Sequence, residues 1–197
     1  MSLEPVADGE LAAIVTYLEM TRPPASPPGQ SQAIRLERWE RPSVQRYRDL
    51  FRMVGAPWLW FSRLMMTDET LAGIIEDKEV EIYRVRAASG EEVGILELDF
   101  RHPGECEIAF IGLVPELSGK GHGKWLLAQA LQRAWREGVA RVHVHTCSLD
   151  HPAALPAYRR AGMIPYKRAI ERFPDPRLLG ILGKDCAPQI PLLGTDG

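Results

Sequence analysis

Two stretches in the middle of the chain, Glu79 to Arg86 and Glu92 to Phe100, alternate apolar and polar residues at period two, with Ala87 to Gly90 between them. That period belongs to half-buried strands, and so short a break predicts a hairpin. A third strand, Glu105 to Leu113, follows the Pro103-Gly104 turn. Upstream, Leu11 to Met20 is β-rich and Ala33 to Trp39 alternates around Ile34 and Leu36. Pro23, Pro24, Pro27 and Pro28 separate the two, a run that neither a helix nor a central strand can hold.

Helical signals fill the remaining gaps. Pro42-Ser43 opens a helix predicted through Met53, ended by Gly55-Ala56-Pro57, and Thr67 or Asp68 caps a second one through Ile75. Lys124 to Glu137 carries Leu127, Leu131 and Trp135 on one face, with Gly138 as its stop. Ala140 to Cys147 is β-branched and alternating, so one helix bridges two strands, which implies a parallel pair with a right-handed crossover. Asp150 or His151 is placed to cap a short helix ending near Gly162, with an irregular first turn at Pro156. Ile164 to Phe173 reads as a final strand, and from Pro174 onward the pattern fades.

With 197 residues, 45% apolar and 25% charged, the chain has enough of both to form one compact domain. The longest apolar run, Ile108 to Pro115, is too short for a membrane helix, and no Lys or Arg precedes Arg22 as a signal peptide would require. The cytoplasm is the expected compartment, with no membrane partner. Three cysteines, Cys106, Cys147 and Cys186, lack C-x-x-C spacing and are expected as free thiols. The net charge of −2 conceals an asymmetry: Ser118 to Ile170 holds nine Lys/Arg against Glu137 and Asp150, so this stretch carries +7 and the rest −9. A basic segment in an acidic chain suits a small multiply phosphorylated ligand better than a nucleic-acid duplex, which calls for a broad basic footprint.

The turn Pro115-Glu-Leu-Ser-Gly-Lys-Gly-His-Gly-Lys124 places Gly119, Gly121 and Gly123 just before a helix. Successive amides there can face an anion, helped by the helix N-terminus and by Lys120 and Lys124. A P-loop fails because Lys124 stands where its second Gly belongs and Trp125 follows. A dinucleotide fingerprint fails because the spacing is G-x-G-x-G and the loop comes after most of the sheet.

What remains resembles motif A of the GNAT superfamily of acyl-CoA N-acyltransferases: a strand, a V-x-P-like step, then [QR]-x-x-G-x-[GA] opening a helix. The element order from Ala33 to Phe173 matches, and Gly121-His122-Gly123 fits the motif's core. Ser118 departs from the usual Arg or Gln, and His151 from a frequent Asn. The resemblance implies an α+β fold, a mixed and mostly antiparallel sheet flanked by helices, with Glu105–Leu113 and Ala140–Cys147 as a splayed parallel pair at the CoA site. It divides the chain into an N-terminal extension (1–32, a strand and Pro-rich linker that covers a sheet edge or joins a homodimer), the acetyltransferase domain (33–173) and a tail (174–197). It implies acetyl-CoA as cosubstrate, its pyrophosphate on Ser118, Gly119, Lys120, Gly121, His122, Gly123 and Lys124 and its pantetheine arm against the backbone of Leu113 and Val114. No metal is expected.

Acyl transfer to an amine needs a base for the ammonium and an acid for the departing thiolate. Tyr158, in Ala153-x-x-x-Ala157-Tyr158-x-x-x-Gly162-Met163, resembles the family's A-x-x-x-Y-x-x-x-G-[FM] signature and is assigned the acid. Glu107 matches the strand position from which family members recruit a base. Alternation puts Glu105, Glu107, Ala109 and Ile111 on one face. His145 is the rival base; with His143 and Cys147 it shares one side of a strand, where a metal site lacks further ligands and a Cys147 nucleophile would need an activated thiolate. Trp58, Trp60 and Phe61 are expected either to wall the acceptor pocket or to fill core. The expected activity is acetyl transfer from acetyl-CoA to a primary amine of a small molecule or peptide, by direct attack in a ternary complex. A non-catalytic acyl-CoA sensor, and behind it a nucleic-acid-binding module, are the alternatives.

Overall fold

The computed structural model describes residues 3–25, 29 and 31–194; Pro27 and Pro28 of the expected linker lie outside them. In chain order the elements are β1 (Glu10–Met20), β2 (Ile34–Arg38), α1 (Val44–Gly55), α2 (Ser62–Met65), α3 (Asp68–Ile75), β3 (Val80–Ala87), β4 (Glu92–Asp99), β5 (Glu105–Leu113), α4 (His122–Ala134), β6 (Arg141–Cys147), α5 (Ala154–Arg160) and β7 (Ile164–Pro174). The strands form one seven-stranded sheet in the order β2-β3-β4-β5-β6-β1-β7. All neighbours are antiparallel except β5 and β6, so the mixed, mostly antiparallel α+β sheet with one parallel pair is as predicted. Among the described residues no helix is long and apolar enough to cross a membrane.

Both faces of the central strands are covered. On one, Leu126, Leu127, Ala130 and Leu131 of α4 and Tyr158 of α5 pack with Leu96, Leu98, Ile108, Val142 and Val144. On the other, Tyr47, Leu50, Phe51 and Val54 of α1 and Leu71 and Ile75 of α3 pack with Val80, Ile82 and Ile95. Each buried Leu, Ile or Phe contributes about 1.5–3 kcal/mol of burial free energy, so the two layers hold the sheet from both sides.

The N-terminal strand does not cover an edge. β1 lies inside the sheet, antiparallel to β6 from Val15↔Cys147 to Met20↔Val142 and to β7 from Glu10↔Pro174 to Glu19↔Ile164. Its sequence suits an interior position, because Ala13 and Val15 on one face and Leu18 and Met20 on the other are all buried. A second departure lies in β5. Glu97 faces Phe110 whereas Leu98 faces Ile108, so Ala109 is a bulge residue and strict alternation ends at Glu107. Beyond the bulge Phe110 joins the α1 side and Ile111 the α4 side, so Ile111 does not share a face with Glu107.

Thr67 caps α3 as expected, its side chain accepting from the Thr70 N–H. α4 begins at His122 and ends at Ala134, because Trp135 leaves the helical region at φ −88°, ψ 78°. Gly138, at φ +86°, serves the following turn instead of the helix stop. Neither Asp150 nor His151 is the N-cap of α5, which is Ala153 without a side-chain cap. Pro156 is tolerated because it falls in the first turn, where a backbone N–H has no helical partner anyway. The segment after β7 packs closely despite its weak pattern: Leu182 and Ala187 are buried against Leu59, and Asp175 pairs with Arg177 beneath the surface.

Candidate active site

Parallel pairing of β5 with β6 lasts three positions, Glu105↔Arg141, Cys106↔Val142 and Glu107↔His143, and both strands then run on without pairing to each other. Asp150, just past β6, braces the open end. Its Oδ2 accepts from Thr146 Oγ1 (2.7 Å) and the Cys147 N–H (2.8 Å), while its Oδ1 accepts from Trp60 Nε1 (3.2 Å). The sequence offered Asp150 only as a helix cap, since its bond to Trp60 spans 90 positions.

On the α4 side of the opening lies the glycine turn. A 3-10 turn over Pro115–Leu117 and exposed Ser118 lead to Gly119 (φ +75°) and Gly121 (φ +79°), a backbone region that glycine enters without penalty. The first bond of α4 runs from the Trp125 N–H to the Gly121 carbonyl, so the N–H groups of His122, Gly123 and Lys124 are free of helical partners. A Cβ on Gly119, Gly121 or Gly123 would meet nothing within 4 Å, so the loop opens outward. Lys124 is exposed, and Lys120 Nζ turns back to donate to the Glu116 carbonyl (3.0 Å). Free amides, a helix N-terminus and open approach fit a pyrophosphate.

Leu113 and Val114 differ in availability. The Val114 N–H donates to Val93 and its carbonyl accepts from Leu117, so Val114 is already engaged. Backbone direction alternates along a strand, so the N–H and C=O of Leu113 point the other way, into the gap toward β6.

Tyr158 of α5 sits on the same side, 8% exposed, and its hydroxyl makes no hydrogen bond among the described residues. Burial, with the charge of Asp150, pushes its phenol well above the ordinary 10.0, so it stays a proton donor at neutral pH.

The opposite side of the sheet carries the carboxylates and imidazoles. Glu107 Oε1 lies 3.1 Å from His145 Nδ1 across the diverging strands. The hydrogen bond from His145 holds Glu107 below 4.5 against the opposing effect of burial, and the same bond lifts His145 above 6.5. His143, lowered mainly by burial, approaches Glu105 at 3.6 Å. Tyr17 of β1 lies against His145 with the rings tilted at 38° and 5.7 Å apart, a neighbour that only the insertion of β1 creates and that no local motif announces. Burial pushes the Cys147 thiol up to about 11, which leaves it a poor nucleophile at neutral pH. Among the described residues no group of three His, Cys, Asp or Glu could hold a metal ion.

Trp58, Trp60 and Phe61 are all half-buried, each against different partners. Trp60 packs on Phe51 and Phe110, Trp58 meets His151 edge-on, and Phe61 lies against Phe173 of β7. Two glycines admit Trp60: a Cβ on Gly55 would fall 2.4 Å from its Cβ, and one on Gly112 would fall 3.1 Å from its ring.

The family profile described as Acetyltransferase (GNAT) family matches residues 32–163. No curated protein matches the chain. A GCN5-related N-acetyltransferase from Sphaerobacter thermophilus is 20% identical with a TM-score of 0.56, over 85% of this chain and 52% of its own, so the chain spans about half of that protein's length. A GNAT-family acetyltransferase from Novosphingobium aromaticivorans is 18% identical (TM-score 0.58, 85% of this chain, 68% of its own). Spermidine N-acetyltransferase from Vibrio cholerae, solved with CoA and spermine, is 18% identical (TM-score 0.56, 76% of this chain, 99% of its own). At these identities the likeness concerns the fold. The match over residues 32–163 carries the family, and the chain belongs to the GNAT acetyltransferase family.

Proposed function

We propose that the chain transfers an acetyl group from acetyl-CoA to the primary amine of a small molecule or peptide, by direct attack in a ternary complex. The observation that carries this reading is the gap between β5 and β6, flanked by Tyr158 and the glycine turn on one side of the sheet and by Glu107 and His145 on the other. A thioester entering from the first side meets an amine entering from the second.

Acetyl-CoA supplies the activated acetyl group; the protein supplies position and protons. The free amides of His122, Gly123 and Lys124 and the exposed Lys124 receive the pyrophosphate, and Leu113 offers its backbone to the pantetheine arm. The acceptor arrives as an ammonium and loses a proton to the Glu107–His145 pair, directly or through one water. Glu107, as the family position implies, is the base, and the hydrogen bond to His145 lets the imidazole share that proton load. As the nitrogen–carbon bond forms and the carbon–sulfur bond breaks, Tyr158 gives its proton to the leaving thiolate, and the second proton shed by the attacking nitrogen returns through solvent to restore the phenol. The small-amine ligand of the Vibrio structure supports a small cationic acceptor.

A thiol-release screen with acetyl-CoA against amino acids, polyamines, aminoglycosides and peptide N-termini tests the proposal. Release dependent on one class of amine is expected. Saturable acetyl-CoA binding with no release in any amine would leave a sensor in place of an enzyme.

A further inference from the structure

β7 ends the sheet and pairs on one side only, with β1. Its other side is a row of backbone N–H and C=O groups with no strand partner among the described residues, the usual template for an added strand. Ile170 is 69% exposed, and its register partner Ile14 on β1 is 56% exposed, so an apolar pair lies beside the open edge. Pro165 and the register shift at Tyr17/Leu18 close off one end and Pro174 the other. The stretch Lys167–Glu171 between them is regular.

A second β7 is an occupant whose fit is decided by charge. A two-fold axis normal to the sheet keeps each residue on its own face, so the axis must pass through a residue. Through Lys167, Arg168 or Glu171 it opposes like charges, and through Ile170 it sets Arg168 against Arg172 of the other copy. Through Ala169 it sets Lys167 against Glu171 twice and no like charges against each other. Ile170 then stands opposite the second copy's Arg168, whose aliphatic stem covers it, and diagonal to the second copy's Ile170.

We infer that two copies of the chain pair β7 to β7, antiparallel about Ala169, into one continuous sheet. Sedimentation velocity of the full chain across a concentration series tests this. A reversible monomer–dimer equilibrium is expected. Lys167→Glu sets carboxylates opposite each other twice, and Glu171→Lys does the same with ammonium groups, so each variant weakens the dimer roughly tenfold. The double variant exchanges the charges and restores it. Thermal melts of the monomeric variants confirm that these exposed positions leave the fold intact. A chain monomeric throughout, a dimer indifferent to both single variants, or a double variant that fails to recover would each overturn the inference.

Discussion

Glu107 faces His143 in the strand register, yet its side chain bonds to His145, two residues further along β6. The offset arises where the strands stop pairing, so the bond bridges the opening itself. Its acid–base consequence is the first prediction. A group raised in the folded state stabilises below its ordinary pKa, and a group lowered in the folded state stabilises above it. His145 is raised from 6.5 and Glu107 lowered from 4.5, so their joint contribution is full between those values. It fades as pH falls through the lowered Glu107 value and as pH rises through the raised His145 value. Melting curves should therefore separate the native protein from His145→Gln most widely within that window. Equal separation at alkaline pH would place the effect in packing.

In catalysis the same pair predicts an acidic limb in kcat/KM that disappears or moves in Glu107→Gln while acetyl-CoA affinity is kept. Parallel profiles of Glu107→Gln and His145→Gln assign the base. A limb intact in the first and absent in the second would transfer the role to His145.

Tyr158→Phe removes only a hydroxyl that bonds to no described residue, so the melting temperature and acetyl-CoA affinity should hold while kcat falls roughly 100-fold. The raised phenol further implies no loss of activity from this group up to pH 10. Normal specific activity in the variant would reduce Tyr158 to a packing residue.

Much of this architecture was legible because it is local. The β3–β4 hairpin, the Thr67 cap and the glycine turn each declare themselves within a few residues. The position of β1 was not legible, because an apolar alternating strand suits an edge or an interior slot until its neighbours are known. The bulge at Ala109 escaped for a related reason: nothing in Ile108-Ala109-Phe110 marks an extra residue except the partner strand. Tyr17 on His145 and Trp60 on Asp150 depend on pairings between distant segments. The tail looked unpatterned because it is held by a buried ion pair, backbone carbonyls and a few apolar contacts from irregular backbone, which leave no periodicity.

The glycine turn predicts a contrast between two neighbours. Gly121 has φ +79° and open space above it, so Gly121→Ala strains the backbone by about 1 kcal/mol and displaces the start of α4. Gly123 has ordinary helical backbone and equally open space, so Gly123→Ala should keep the fold and raise its stability by roughly 0.4–1 kcal/mol. If the amides bind pyrophosphate, its methyl group still intrudes on the ligand, and calorimetry should show acetyl-CoA affinity falling roughly tenfold, about 1.4 kcal/mol. Unchanged affinity in a stable Gly123→Ala protein would move the phosphate site elsewhere.

The tail predicts a loss of stability that reaches the Trp58–Phe61 segment. Asp175 and Arg177 are each 2% exposed, and the guanidinium donates to the carboxylate at 2.7 Å while its other arm reaches the carbonyls of Ile190 (2.9 Å) and Cys186 (3.2 Å). Burial alone would raise Asp175, but the Arg177 bonds outweigh it and hold the carboxyl below 3.8, so the pair stabilises above that pH and fails as acid titrates it. Arg177→Ala would strand a buried carboxylate and several carbonyls, a loss of about 3–5 kcal/mol. The tail also touches this segment directly, since Gln189 donates to the Pro57 carbonyl and Leu182 packs on Leu59. Loosening it should therefore raise hydrogen exchange at Trp58–Phe61 and, where those rings face the amine, its KM, while acetyl-CoA affinity stays the same. Replacing both Asp175 and Arg177 by apolar residues should recover much of the stability, because no charge is then left unpaired. A tail whose loss leaves exchange at Trp58–Phe61 unaltered would be a passenger.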